Sequence, residues 1–191
     1  FFSGDTQPAE ISHEQAVQLD LLAFALRESV ETLVQFFRLN PDMAPRLLAI
    51  ANSRVGGLSR PAESTAHALI MLGPQRASRV AALLALAGKQ PTEATRHYAV
   101  TALTRALFMG KITRLGAPAE SAAAAFEIGL LSTATHALSL PVETLIRKLR
   151  LSATSARALS AHPSPEGAML QLTYACENND VETLATYAKQ L

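Results

Sequence analysis

The chain has 191 residues, of which 49% are apolar and only 5% aromatic, with one cysteine and no tryptophan. That length can bury roughly 70% of the unfolded surface without help from a disulfide or a metal, and a lone Cys176 excludes an intrachain disulfide framework. Net charge is +1 but uneven: residues 60–116 carry eight basic and two acidic side chains, while the stretches on either side are net acidic. The apolar share is mostly Ala and Leu, strong helix formers, and β-branched residues are few. The expected fold class is therefore all-α, a compact bundle of about ten helices.

Residues 1–11, with Gly4 and Pro8, read as a linker; the helical domain is expected over 12–191. There is no initiating Met, so the chain reads as part of something longer. No apolar run approaches the roughly 20 residues that span a bilayer, and the N-terminus has no positive n-region of a signal peptide. A reducing, cytoplasmic setting with no membrane contact is expected.

Ser12 with Gln15 forms the pattern of a capping box, so a helix should begin there. Val30, Leu33, Val34 and Phe37 space a second helix. Asn40-Pro41-Asp42 reads as a cap, a first-turn proline and a first-turn acid for a third, which ends near "NSRVGGLSR" at 52–60. Pro61 is expected to open a helix that Gly73 closes, and Pro74 to open the next, closed by Gly88. A long helix follows from Pro91–Thr92, with Ala99, Ala102, Leu103, Ala106 and Met109 inward. Pro118 should start a central Ala-rich helix, "PAESAAAAFEIGLLSTATHAL", whose alanines permit close backbone approach. Pro141, Ser152, Ser164-Pro165 and Asn179 with Glu182 mark four further starts.

Convergent polar chemistry is hard to assemble from this pattern. The five histidines, at 13, 67, 97, 136 and 162, include no pair three or four residues apart, so no helix face offers paired metal ligands. His136 suits a helix C-terminus. Cys176 has no CxxC partner and is expected in the core. No GxSxG elbow and no Gly-rich phosphate loop occurs. The basic middle allows two readings: solvated helix faces offset by the acidic flanks, or a surface for an acidic partner, a nucleotide or RNA, with Arg76, Arg79, Arg96 and Arg105 as its candidates. Little aromatic interleaving supports base stacking there.

Three segments carry a family resemblance: "PDMAPRLLAIANS" (41–53), "LSRPAESTAHALIMLGPQRASRVAALLAL" (58–86) and "AAAFEIGLLS" (123–132). Their order resembles the HDOD domain, the non-catalytic relative of the metal-dependent HD phosphohydrolases. The resemblance implies an HD-like helical bundle. It places His97 near the first ancestral metal histidine and puts Ser132-Thr133 where active relatives carry the His-Asp pair. It makes Asn52, Ser53, Gly73 and Gly129 structural. The segment from 138 resembles the tail of bacterial proteins with an EAL domain before the HDOD domain, and "FFSGDTQP" is similar to the end of an EAL domain, the class that binds or hydrolyses cyclic di-GMP.

The resemblance thus implies a bacterial regulatory module without catalytic or metal-binding residues and without a cofactor. Its partner would be another protein or an adjacent EAL domain, with a second copy of the chain also admissible. The alternatives are a nucleotide, cyclic di-GMP or nucleic-acid binder using the basic 60–116 region, and a degenerate metal phosphohydrolase built around His97 and His136.

Overall fold

The computed structural model describes residues 11–27, 29–54, 57–116 and 119–187. Within them run eleven α-helices and no strand. They are α1 (His13–Leu26), α2 (Val30–Leu39), α3 (Ala44–Ala51), α4 (Thr65–Ala87), α5 (Glu93–Gly116), α6 (Ala119–Leu131), α7 (Ala134–Leu138), α8 (Val142–Leu149), α9 (Ala153–Leu159), α10 (Pro165–Asn178) and α11 (Val181–Tyr187). The all-α expectation holds. No helix among the described residues is long and apolar enough to cross a membrane.

Local chemistry sets many of the boundaries. Ser12 Oγ accepts from the Gln15 backbone N–H, and Gln15 Oε1 accepts from the Ser12 N–H, which closes the expected capping box on α1. Ser152 and Ser164 accept from the N–H groups of Ser155 and Gly167 to start α9 and α10. Each such cap contributes about 1 kcal/mol.

Other boundaries differ from expectation. Asn40 does not cap a following helix: its amide donates back to the Phe36 carbonyl and ends α2, and Pro41–Met43 form a 3-10 turn before α3. Ser64, not Pro61, caps α4, because its hydroxyl can accept from the His67 N–H. Gly73 does end the first half of that stretch, as expected: at φ 71° and ψ 170° its backbone is not helical, and a second helical half runs from Pro74 to the cap at Gly88. Asn179 closes α10 in the left-handed region, and the start of α11 falls to Asp180, whose carboxylate accepts from the Thr183 N–H. The expected helix from 118 to 138 breaks at Ser132-Thr133 into α6 and α7. Cys176, expected in the core, is exposed on α10. Residues 1–10 of the expected linker, Gly56, Pro118 and 188–191 lie outside the described residues.

The main core gathers large side chains from the first four helices: Leu21 and Leu22 of α1, Leu33 and Phe37 of α2, Leu47 of α3, and Leu69, Leu84 and Leu86 of α4. Each contributes about 1.5–3 kcal/mol by leaving water. Phe36 meets Phe24 and Phe37 edge-on, at 6.1 and 5.4 Å between ring centroids. A second, smaller cluster joins α5, α6, α9 and α10 through Met109, Ala125, Ile128, Ala158, Met169 and Leu170.

Between the clusters, α5 and α6 form an antiparallel hairpin with a seam of small residues. Ala102, Ala106, Ala122 and Ala125 are buried along it. The approach is closest at Gly129, where an added Cβ would lie 2.6 Å from the Ala106 nitrogen and 2.8 Å from the Arg105 carbonyl carbon. Backbone, not a yielding side chain, fills that space, so only glycine fits. This contact fixes what α5 presents to the residues that follow α6.

Candidate functional site

The turn after α6 is held by its own hydroxyls. Ser132 Oγ donates to the Gly129 carbonyl at 2.7 Å. Thr133, 5% exposed, donates from Oγ1 to the Tyr98 carbonyl across the hairpin at 3.0 Å. The Thr133 carbonyl then accepts from the N–H groups of His136 and Ala137 and begins α7. The side chains of Ser132 and Thr133 therefore close a helix end and tie it to α5.

His97 is exposed on α5, next to Tyr98, whose ring lies 5.8 Å from that of the exposed His136. Both imidazoles neighbour the one phenol ring, with the His97 centroid 6.3 Å from it, and His136 Nδ1 is paired to Thr135 Oγ1 at 3.2 Å. No group of three or more His, Cys, Asp or Glu among the described residues is placed to hold a metal ion. The donor set around Ser132 and Thr133 does not fit a divalent cation, which needs several anionic or imidazole ligands converging on one point.

A guanidinium stands there instead. Arg105 projects from α5 and donates Nη1–H to Ser132 Oγ at 3.2 Å. Its Nε and Nη2 donate in a two-point fork to the Glu177 carboxylate of α10, at 2.8 and 2.7 Å. The same guanidinium lies 4.5 Å from the centroid of the Tyr174 ring. Burial pushes the Tyr174 phenol up, and the Arg105 charge pulls against it. The Arg105 side chain is only 15% exposed. Such forked, charge-assisted pairs are the strong ones among surface contacts. Arg105 thus departs from the open basic face expected of it, because α10 consumes its donors.

The other three arginines meet separate neighbours. Arg96 donates to the Pro91 carbonyl at 3.0 Å. Arg46, which donates to the Gly88 carbonyl, is pulled below the usual guanidinium range by burial and secondarily by Arg96. Arg76 reaches towards Gly57. Arg79 lies over the ring of Phe126 at 5.5 Å. Asn52, exposed, clasps the backbone of Ala62 with both amide atoms, at 3.1 and 2.7 Å, and Ser53 donates to the Ile50 carbonyl.

Arg79 opens onto a groove of about 970 Å³ between the end of α1, α4, the second half of α5, α6 and the start of α9. Gly110 and Ala122–Ala124 line it with small residues, Leu107 and Phe126 with apolar ones, and Arg27, Lys111 and Arg114 bring positive charge. Ser78 and Glu127 line it too. In the sequence Lys111 and Arg114 stand only within the basic stretch 60–116. Their spacing with Leu107, four and seven residues on, puts all three on one helix face and was the available signal.

The family model for the HDOD domain matches residues 13–157. Comparison with curated proteins and with solved structures gave no match. The matched span ends within α9, so α10, which supplies Tyr174 and Glu177 to the Arg105 cluster, lies beyond it.

Proposed function

The chain belongs to the HDOD family, and on that premise we propose that it is a bacterial regulatory module that acts by binding a protein partner or an adjacent EAL domain, in cyclic di-GMP signalling, rather than by turnover. The family assignment supports a non-catalytic, HD-related output domain. One observation carries the rest of the reading. Ser132 and Thr133, where the family resemblance puts the metal-binding pair of active relatives, have their hydroxyls engaged in the fold, and the Arg105 guanidinium donates to Ser132. A scaffold kept intact around a position unable to gather metal ligands suits recognition by surface.

The partner would be the EAL domain expected before residue 12, another cytoplasmic protein or a second copy. Crosslinking and co-purification in the native host, using the full reading frame, test this. The reading expects a specific complex, and an EAL activity that changes when residues 12–191 are deleted. No partner and an unchanged activity would sink it. Phosphohydrolase turnover that depends on added divalent metal and vanishes in His97→Ala would favour the degenerate-enzyme alternative.

A further inference from the structure

Among the described residues, two buried side-chain polar atoms have no hydrogen-bond partner: Ser78 Oγ and Glu127 Oε1. Both residues line the same groove. Ser78 is 6% exposed. A buried acceptor or hydroxyl left unpaired costs about 1–3 kcal/mol, and two such groups meeting at one groove point to something that enters it. Nor does Glu127 find a cation. The ion pairs among the described residues are Lys89–Asp42 and Arg105–Glu177, so Arg27, Arg79, Lys111 and Arg114 line the groove without forming an ion pair to Glu127.

The demand is therefore split. The buried carboxylate oxygen requires N–H or O–H donors, and the Ser78 hydroxyl can give or take one bond. The exposed Arg27, Lys111 and Arg114 attract anionic charge to the rim of the groove. Between them lie the apolar faces of Leu107 and Phe126, and alanine leaves width for a flat group. We propose that this groove binds a guanine nucleotide. The N1–H and amino donors of the base meet Glu127, its carbonyl accepts from Ser78, and the phosphate meets the basic rim. The volume lies in the range of small-molecule sites.

Isothermal titration of the whole chain with GMP, UMP and inorganic phosphate, at low and at moderate salt, tests this. GMP should bind at least about tenfold tighter than UMP or phosphate, a gap that the near-isosteric Glu127→Gln should erase. Lys111→Ala with Arg114→Ala, both exposed, should weaken GMP and flatten its salt dependence while leaving the melting temperature unchanged. Equal affinity for the three ligands overturns the proposal. So does a gap that survives Glu127→Gln, or binding seen only with RNA or an acidic peptide. None of these outcomes bears on whether the chain also binds a protein partner.

Discussion

The α5–α6 hairpin carries two polar regions, and they differ in completeness. Toward its open end, Arg105 of α5, Ser132 of the turn after α6, and Tyr174 and Glu177 of α10 meet, with the Arg105 donors shared between Ser132 and Glu177. Toward its turn, the groove holds several cations, the Glu127 carboxylate and the hydroxyls of Ser78, Ser152 and Ser155, and the protein leaves buried atoms of Glu127 and Ser78 unpaired. The first region answers every polar group internally, which is what a structural joint does. The second leaves the answer to another molecule. The same hairpin thus closes one polar region and leaves another open.

The largest expected effect attacks the seam beneath both regions. Gly129→Ala would force α5 and α6 apart against backbone atoms and should cost about 3 kcal/mol in urea unfolding. A change under about 0.5 kcal/mol would mean that the seam is looser than these distances require. Next comes the joint itself. Arg105→Ala strands Glu177 and uncovers Tyr174, and should cost about 2 kcal/mol. Arg105→Lys should recover less than half, since an ammonium cannot reproduce the fork.

A smaller effect appears in alkali. The fold holds the Tyr174 phenol protonated above its ordinary value, so the unfolded chain gives up that proton first. Stability should therefore fall as pH rises through the ordinary phenol value of about 10 and beyond it. Tyr174→Phe should flatten that part of the curve relative to the parent, read as melting temperature against pH. The smallest effect is expected in the open region: Ser78→Ala removes a hydroxyl that the protein does not satisfy, so it should lie within about 0.5 kcal/mol of the parent or slightly above it. A clear loss there would erase the contrast between the regions.

How legible this was in the sequence depended on distance along the chain. Ser12 with Gln15, Ser152 and Ser164 announced their helices because a cap is made within three residues. Asn40 and Asn179 misled because asparagine serves a helix end as readily as a helix start, and only the backbone angles decide. The break at Ser132-Thr133 was hidden because the residues around it keep helical apolar spacing, while what ends α6 is a bond to Tyr98, 35 positions earlier. The Arg105 fork reaches Glu177, 72 positions away on a helix outside the family match, and nothing local to Arg105 signals it. The groove was legible only as charge, since the unpaired atoms of Ser78 and Glu127 exist only once α4 and α6 are packed.

Gly73 and Gly129 exclude other residues for unrelated reasons. An added Cβ at Gly73 would touch nothing within 4 Å, so room is not the constraint there. At φ 71° and ψ 170° an L-amino acid is strained by about 1–3 kcal/mol. Its mirror image is not: a D-alanine placed there by chemical ligation would find its own preferred torsions and stiffen the middle of α4. At Gly129 the torsions are ordinary and the methyl of L-alanine would meet the backbone of Ala106 and Arg105, so the demand there is for space and not for chirality.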